Sequence, residues 1–352
     1  MKQVIQQVKK HLAVLTVLLM GMVIYGCSKN EGKYEFQSSK EAIKCCHSKL
    51  YELTAKKEAS IEDLSIIIND FFELKDSCYS IFLKDTTFDY SGELAVEFVG
   101  VSDSIQKAII NLAMSKPRSM TDVVDLKVGT ANERKRLMAT KNYIEVEKYF
   151  DSLDELPLLP DTRTTIAEYL KLLEKNIPVD EQAITMFLAR EDQCFRSLLK
   201  YFPNIPQDIV QTITNNTVEV FDNLEDSLLT HNHLSGMDDK MMIYMTMRLN
   251  RRIIQNATSC YQQVKNGTKL SQYASGNYRW MLMQPFMAID QTSMAAITDG
   301  QIKAMKEIAK ELPVLLAELD GNERRKISKE ESDKLSAILS EFFLNTYLKM
   351  IL

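Results

Sequence analysis

Apolar residues return every three or four positions along most of this chain, with short polar breaks between the runs. Ile61, Leu64, Ile68, Phe71, Cys78 and Phe82 show the spacing well. It is the period of one buried face of an α-helix. Capping signals stand at the openings of such runs: Ser38 with Glu41, Ser60 with Asp63, Thr130 with Glu133 and Ser328 with Glu331. In each, a hydroxyl and a carboxylate three residues on can satisfy open N–H groups of a first helical turn. They predict helices from Ser38 to Ala55, from Ser60 through Phe82, from Thr130 to Leu153 and from Ser328 to Leu352. Pro157, Pro160, Pro178, Pro203 and Pro206 fall between or at the openings of helices, where a missing N–H costs little. Residues 84–101 are the least helical part. Glu93–Val101 reads as a short strand or, by a narrow preference, as a helix with loose ends.

Composition strengthens the helical reading. Gly (11) and Pro (8) are scarce in 352 residues, whereas sheet and phosphate-loop folds spend glycine freely. The fold class is therefore all-α, with about ten or eleven helices in an irregular bundle. No repeat signature recurs, so a regular solenoid is disfavoured. The expected organisation is a leader over 1–26, a tether over 27–37 and a helical domain over 38–352, with a candidate sub-boundary near 116–130. A chain this long is near the ceiling for a single core, so an elongated bundle and two lobes are both open.

The first residues do not belong to that helical pattern. Lys2, Lys9 and Lys10 make a basic start with no acid nearby, and Leu12–Tyr25 is then almost wholly apolar. That stretch is shorter than the roughly 20 residues needed to span a bilayer, and has the layout of a signal-peptide core. It runs directly into Ile24-Tyr25-Gly26-Cys27. Here the sequence resembles bacterial lipoproteins, in which an aliphatic residue, a Gly and then the lipid-bearing Cys follow such a core. The resemblance covers about the first 30 residues. It implies that Cys27 is acylated and becomes the new first residue, that the mature chain carries a formal charge of −8, since the leader removes three lysines from a net −5, and that the protein is held at a membrane by its lipid. Ser28, in place of Asp, implies passage to the outer membrane. The tether Ser28-Lys29-Asn30-Glu31 partly resembles the export signal of Bacteroidota-type surface lipoproteins, which leaves the surface and periplasmic faces both open.

With Cys27 acylated, Cys45, Cys46, Cys78, Cys194 and Cys260 remain. At least one is then unpaired, and single buried thiols acting as small hydrophobes are the expectation. The chain contains no dinucleotide, P-loop, zincin or nucleophile-elbow motif. Ser104-Ile-Gln-Lys107 matches a catalytic S-x-x-K but lacks the companion motifs. His231 and His233 with Asp238 and Asp239 could hold zinc, yet the segment reads more simply as a loop before a helix. No metal or cofactor is expected.

One stretch stands apart. Residues 240–289 contain no Asp or Glu but hold Lys240, Arg248, Arg251, Arg252, Lys265, Lys269 and Arg279, and the only Trp, Trp280. Arg248, Arg251 and Arg252 share a helix face, continued by Gln255, Ser259 and Gln262, while Met245, Leu249, Ile253, Ala257, Cys260 and Val264 line another. One reading is a site for an anionic group. Arginine forks grip carboxylate or phosphate, while Tyr278, Arg279 and Trp280 add stacking surface. An anionic glycan, a lipid head group or an envelope protein would then be the partner. The other reading is a pair of central helices whose arginines pair with acids elsewhere. Nucleic acid is excluded by the net negative charge and the compartment. The function expected is a lipid-anchored binding or scaffold protein. The alternative is an (α/α)-toroid glycosidase or polysaccharide lyase working with two carboxylates.

Overall fold

The computed structural model describes residues 33–173, 181–201, 209, 239–268, 272–319 and 327–352. Among them there are thirteen helices and no strand. In chain order they are α1 (Ser39–Ala55), α2 (Ile61–Lys84), α3 (Glu93–Ala113), α4 (Met120–Thr130), α5 (Arg134–Met138), α6 (Lys141–Asp154), α7 (Thr162–Leu173), α8 (Glu181–Tyr201), α9 (Asp239–Lys265), α10 (Gln272–Ala288), α11 (Gln291–Ala295), α12 (Asp299–Glu318) and α13 (Lys329–Ile351). The all-α class is as expected, and Glu93–Val101 is helix rather than strand. Cys27, His231, His233, Asp238, Pro178, Pro203, Pro206 and Lys269 lie outside the described residues. No helix among the described residues is long and apolar enough to cross a membrane.

Local chemistry starts most of these helices where the sequence says. Ser60 and Asp63 exchange both bonds of a capping box at α2. Ser328 and Glu331 do so at α13, with the Ser328 N–H donating to Glu331 at 2.9 Å and the Glu331 N–H to the Ser328 hydroxyl at 3.2 Å. At α1, Ser38 accepts from the Glu41 N–H, but the Glu41 carboxylate takes the N–H of Gln37. Thr130 is the exception. It ends α4, its buried hydroxyl facing the Leu126 carbonyl at 2.9 Å and the Tyr347 hydroxyl at 2.6 Å. The chain then makes the single turn α5 and restarts at α6, where Thr140 is the cap. The hydroxyl that resembled a cap is consumed by core packing. Two prolines, Pro285 and Pro313, lie inside α10 and α12, where each removes one backbone hydrogen bond.

Contacts divide the chain into two units, the first holding residues up to Pro117 with Leu348–Leu352, the second Arg118–Tyr347. In the first, α1, α2 and α3 pack on one another. Ile61, Leu64, Ile68, Phe71, Cys78 and Phe82 are all buried there, as their spacing predicts. Phe82 stacks on Phe88 at 4.2 Å and meets Phe98 edge-on at 4.9 Å. Asp70 gathers Lys33, Lys49 and Tyr34, the last donating at 2.9 Å. The residues before α1 are thereby fastened to the middle of α2.

In the second unit α9 is the central element, packed against α6, α8, α10, α11 and α12. Its buried line takes in Ile243, Met247, Ile253, Ile254, Ala257, Cys260 and Val264, whereas Leu249 turns outward. Lys127 of α4 is wholly enclosed. Its ammonium donates to the carbonyls of Phe286 (2.9 Å) and Ile289 (2.6 Å) and lies 4.9 Å from the centre of the Tyr347 ring. A cation suits the open carbonyls at the C-terminal end of α10. Burial nevertheless pushes its pKa down to about 7, against the upward pull of Asp290. Because the unfolded chain then holds this proton to a higher pH than the fold does, stability rises with pH above about 7 on account of this group. Urea unfolding between pH 7 and 8.5 should show that rise, and the slope should be shallower in Lys127→Met than in the parent.

Candidate functional site: a buried arginine–carboxylate cluster

The residues that suggested an anion site do not converge. Tyr278 is fully buried and donates to Gln263 at 2.5 Å. Trp280, two positions on, is 52% exposed, since two residues rotate a helix by about 200°. Arg279 is half-buried. Gln263, the partner of Tyr278, lies twelve residues along α9 from Arg251, a separation of roughly 18 Å at helical rise. No joint site forms from the arginines and this aromatic pair.

The arginines themselves are met by acids from other helices. Glu191 of α8 is wholly buried and takes Arg248 at 2.8 Å, Arg252, and the Tyr169 hydroxyl at 2.7 Å. Arg251 spans two carboxylates, Asp192 at 2.8 Å and Asp154 of α6 at 2.5 Å. Asp192 is shared with Arg196 at 2.9 Å. The remaining guanidinium edge of Arg196 reaches the carbonyls of Leu153 (2.5 Å) and Leu156 (3.1 Å) at the end of α6. Ring faces complete the packing: Arg252 sits 3.7 Å from the centre of Phe195 and Arg251 5.4 Å from that of Phe150. Of the two readings of these arginines, the geometry is that of pairing: carboxylates of the chain itself hold all three guanidinium groups.

The outer lysines of the acid-free stretch follow the same rule. Lys240 pairs with Glu145 at 2.6 Å and Lys265 with Glu311 at 2.9 Å. Beyond Asp239 at its start, α9 can dispense with acids of its own because α6, α8 and α12 supply them from 46 to 97 residues away in sequence. Sequence reading missed Glu191, Asp192, Asp154 and Tyr169. The only signal for them was the lack of acids over residues 240–289, which required acids somewhere else without saying where.

Electrostatics show how firmly the cluster is held. Burial alone would push the Glu191 pKa up, yet it lies below the ordinary glutamate value, because Arg252, Arg248 and the Tyr169 hydroxyl together outweigh desolvation. Tyr244 nearby is driven well above its usual range by burial. Chemically the cluster has no free acid or base facing a companion carboxylate, and among the described residues no group of His, Cys, Asp or Glu could hold a metal ion. What it can do is fix α6, α7, α8 and α9 in one register. Compared with known proteins, the chain matches no family model, no curated protein and no solved structure.

Removing one partner of a buried ion pair leaves the other charge uncompensated, at a cost of about 3–5 kcal/mol. Glu191→Gln keeps the shape but strips the charge that Arg248 and Arg252 share, so urea unfolding should register a loss of that order. A depressed carboxylate pKa also sets a direction with pH: the Glu191 contribution is complete above the ordinary glutamate range and disappears as pH falls below it. Thermal unfolding from pH 6 down to 3 should show that loss in the parent and a smaller one in Glu191→Gln.

Proposed function

We propose that this is a lipid-anchored protein of the bacterial cell envelope whose helical domain serves as a binding or scaffold module without catalysis. The observation that carries the reading is the order of features over the first 27 residues: a basic start, the short apolar core and Ile24-Tyr25-Gly26-Cys27. Cys27 is the lipid-bearing residue, and the partner through it is a membrane, in the manner of an outer-membrane lipoprotein.

The helical part supports a non-catalytic role by the way its conspicuous charges are used. Arg248, Arg251 and Arg252 carry out a structural task, which removes the main motive for assigning them to a glycan, a lipid head group or a substrate carboxylate. Fastening of Lys33 and Tyr34 to Asp70 supports the anchored reading in a second way. Cys27 precedes Lys33 by six positions, so the lipid-bearing end reaches no more than about 20 Å from that fastening point. A short tether suits a domain that works close to a lipid surface.

Metabolic labelling with a palmitate analogue tests the anchor. The parent should incorporate label and fractionate with membranes; Cys27→Ala should lose the label and appear in the soluble fraction. Equal labelling of parent and variant would reject the assignment.

A further inference from the structure

Cys46 of α1 and Cys78 of α2 face each other across the core of the first unit, with their sulfurs 3.7 Å apart. Both are buried, at 2% and 0% exposure. The hydrogen bond between the two thiols is the largest influence on the ionisation of each. Among the described residues, the sulfur contact of each is with the other. Cys45, adjacent to Cys46, is turned about 100° away on the same helix and is only half-buried. Three further thiols would compete for pairing if proximity were loose, but Cys194 and Cys260 belong to the second unit.

We infer that Cys46 and Cys78 are a disulfide site, joined in the native protein. The inference rests on the envelope reading above, because disulfides persist in oxidising compartments and are kept reduced elsewhere. Two side chains already in sulfur–sulfur contact can approach bonding distance, about 2.05 Å, by rotation about their Cα–Cβ bonds. The chemistry is a thiol–disulfide exchange with an external disulfide, either a small-molecule disulfide or an oxidoreductase of the envelope. The thiolate of one cysteine attacks that disulfide and releases one thiol from it. The second cysteine then attacks the mixed disulfide, releasing the other thiol. The pair gives up two electrons and two protons, and the external disulfide is reduced to two thiols. Burial places this exchange during folding, before α1 and α2 close over the pair, and thereafter protects the bond from reductants.

The consequence is mechanical. The bond would close a segment spanning 32 positions in sequence and tie α1 to α2 within the unit that carries the tether. Asp70, which fastens Lys33 and Tyr34, lies eight residues before Cys78 on the same helix. The staple and the tether fastening therefore share α2.

Peptide mapping decides the matter. Full-length protein isolated from membranes should be alkylated under denaturing, non-reducing conditions and cut with trypsin. The expected product is a linked pair of peptides, Cys45–Lys49 joined to Asp76–Lys84, that separates on reduction. The link should survive Cys45→Ser and vanish in Cys46→Ser. Reduction should also lower the melting temperature by on the order of 10 °C, and Cys46→Ala should melt at the lower temperature whether or not reductant is present. Recovery of Cys46 and Cys78 both fully alkylated would overturn the inference. Palmitate labelling of the same sample then separates the two failures: label present means that the disulfide alone is rejected, and label absent means that the envelope reading falls with it.

Discussion

Everything in the larger unit depends on how it neutralises charge away from water. Glu191 sits fully enclosed, where an isolated carboxylate would be several kcal/mol too costly to keep ionised. Two guanidinium groups and a phenol hydroxyl from two other helices make its ionised form the favoured one. Asp192 and Asp154 repeat the arrangement one position further round, with Arg251 between them and Arg196 closing the end of α6. None of these side chains can be satisfied unless α6, α7, α8 and α9 take one particular register. The cluster therefore selects an arrangement among the many ways in which apolar helices could pack. Its specificity is a clearer consequence than its stabilisation, since burying the charges offsets much of what their attraction contributes.

Lys127 solves a smaller version of the same problem. A buried ammonium is set against the open carbonyls that end α10, with an aromatic ring on its other side. In the first unit, Asp70 plays the matching part for two lysines and a tyrosine. In each place a buried ionisable group connects segments that apolar packing would leave free to slide. The two interior prolines of α10 and α12 belong to this picture, since both helices are surrounded by neighbours that hold their line.

The proposed lipid anchor and short tether would change what such a domain needs. Under that proposal the domain would have to keep its shape in a compartment where thiols are oxidised. Helices with charge-locked registers, the proposed staple between α1 and α2, and the fastening of Lys33 and Tyr34 to Asp70 would answer that demand with ordinary side-chain chemistry.

The sequence by itself determined the helices. The spacing of Ile61 to Phe82 fixed the buried face of α2, and the hydroxyl–carboxylate pairs at Ser60 and Ser328 fixed two starts, because both depend only on residues within a few positions of one another. It also carried Ile24-Tyr25-Gly26-Cys27, the local pattern on which the proposed anchor rests. Thr130 and Leu249 show the limit. Each fits a local pattern that a distant side chain or neighbouring helix overrides, the Tyr347 hydroxyl in one case and the packing around α9 in the other. The arginines show it most fully. Their common face was legible, but whether that face meets an outside anion or an inside carboxylate depends on Glu191, Asp192 and Asp154, which lie 57 to 97 residues away in the chain. Charge pairing acts through space, so only the tertiary structure could decide it.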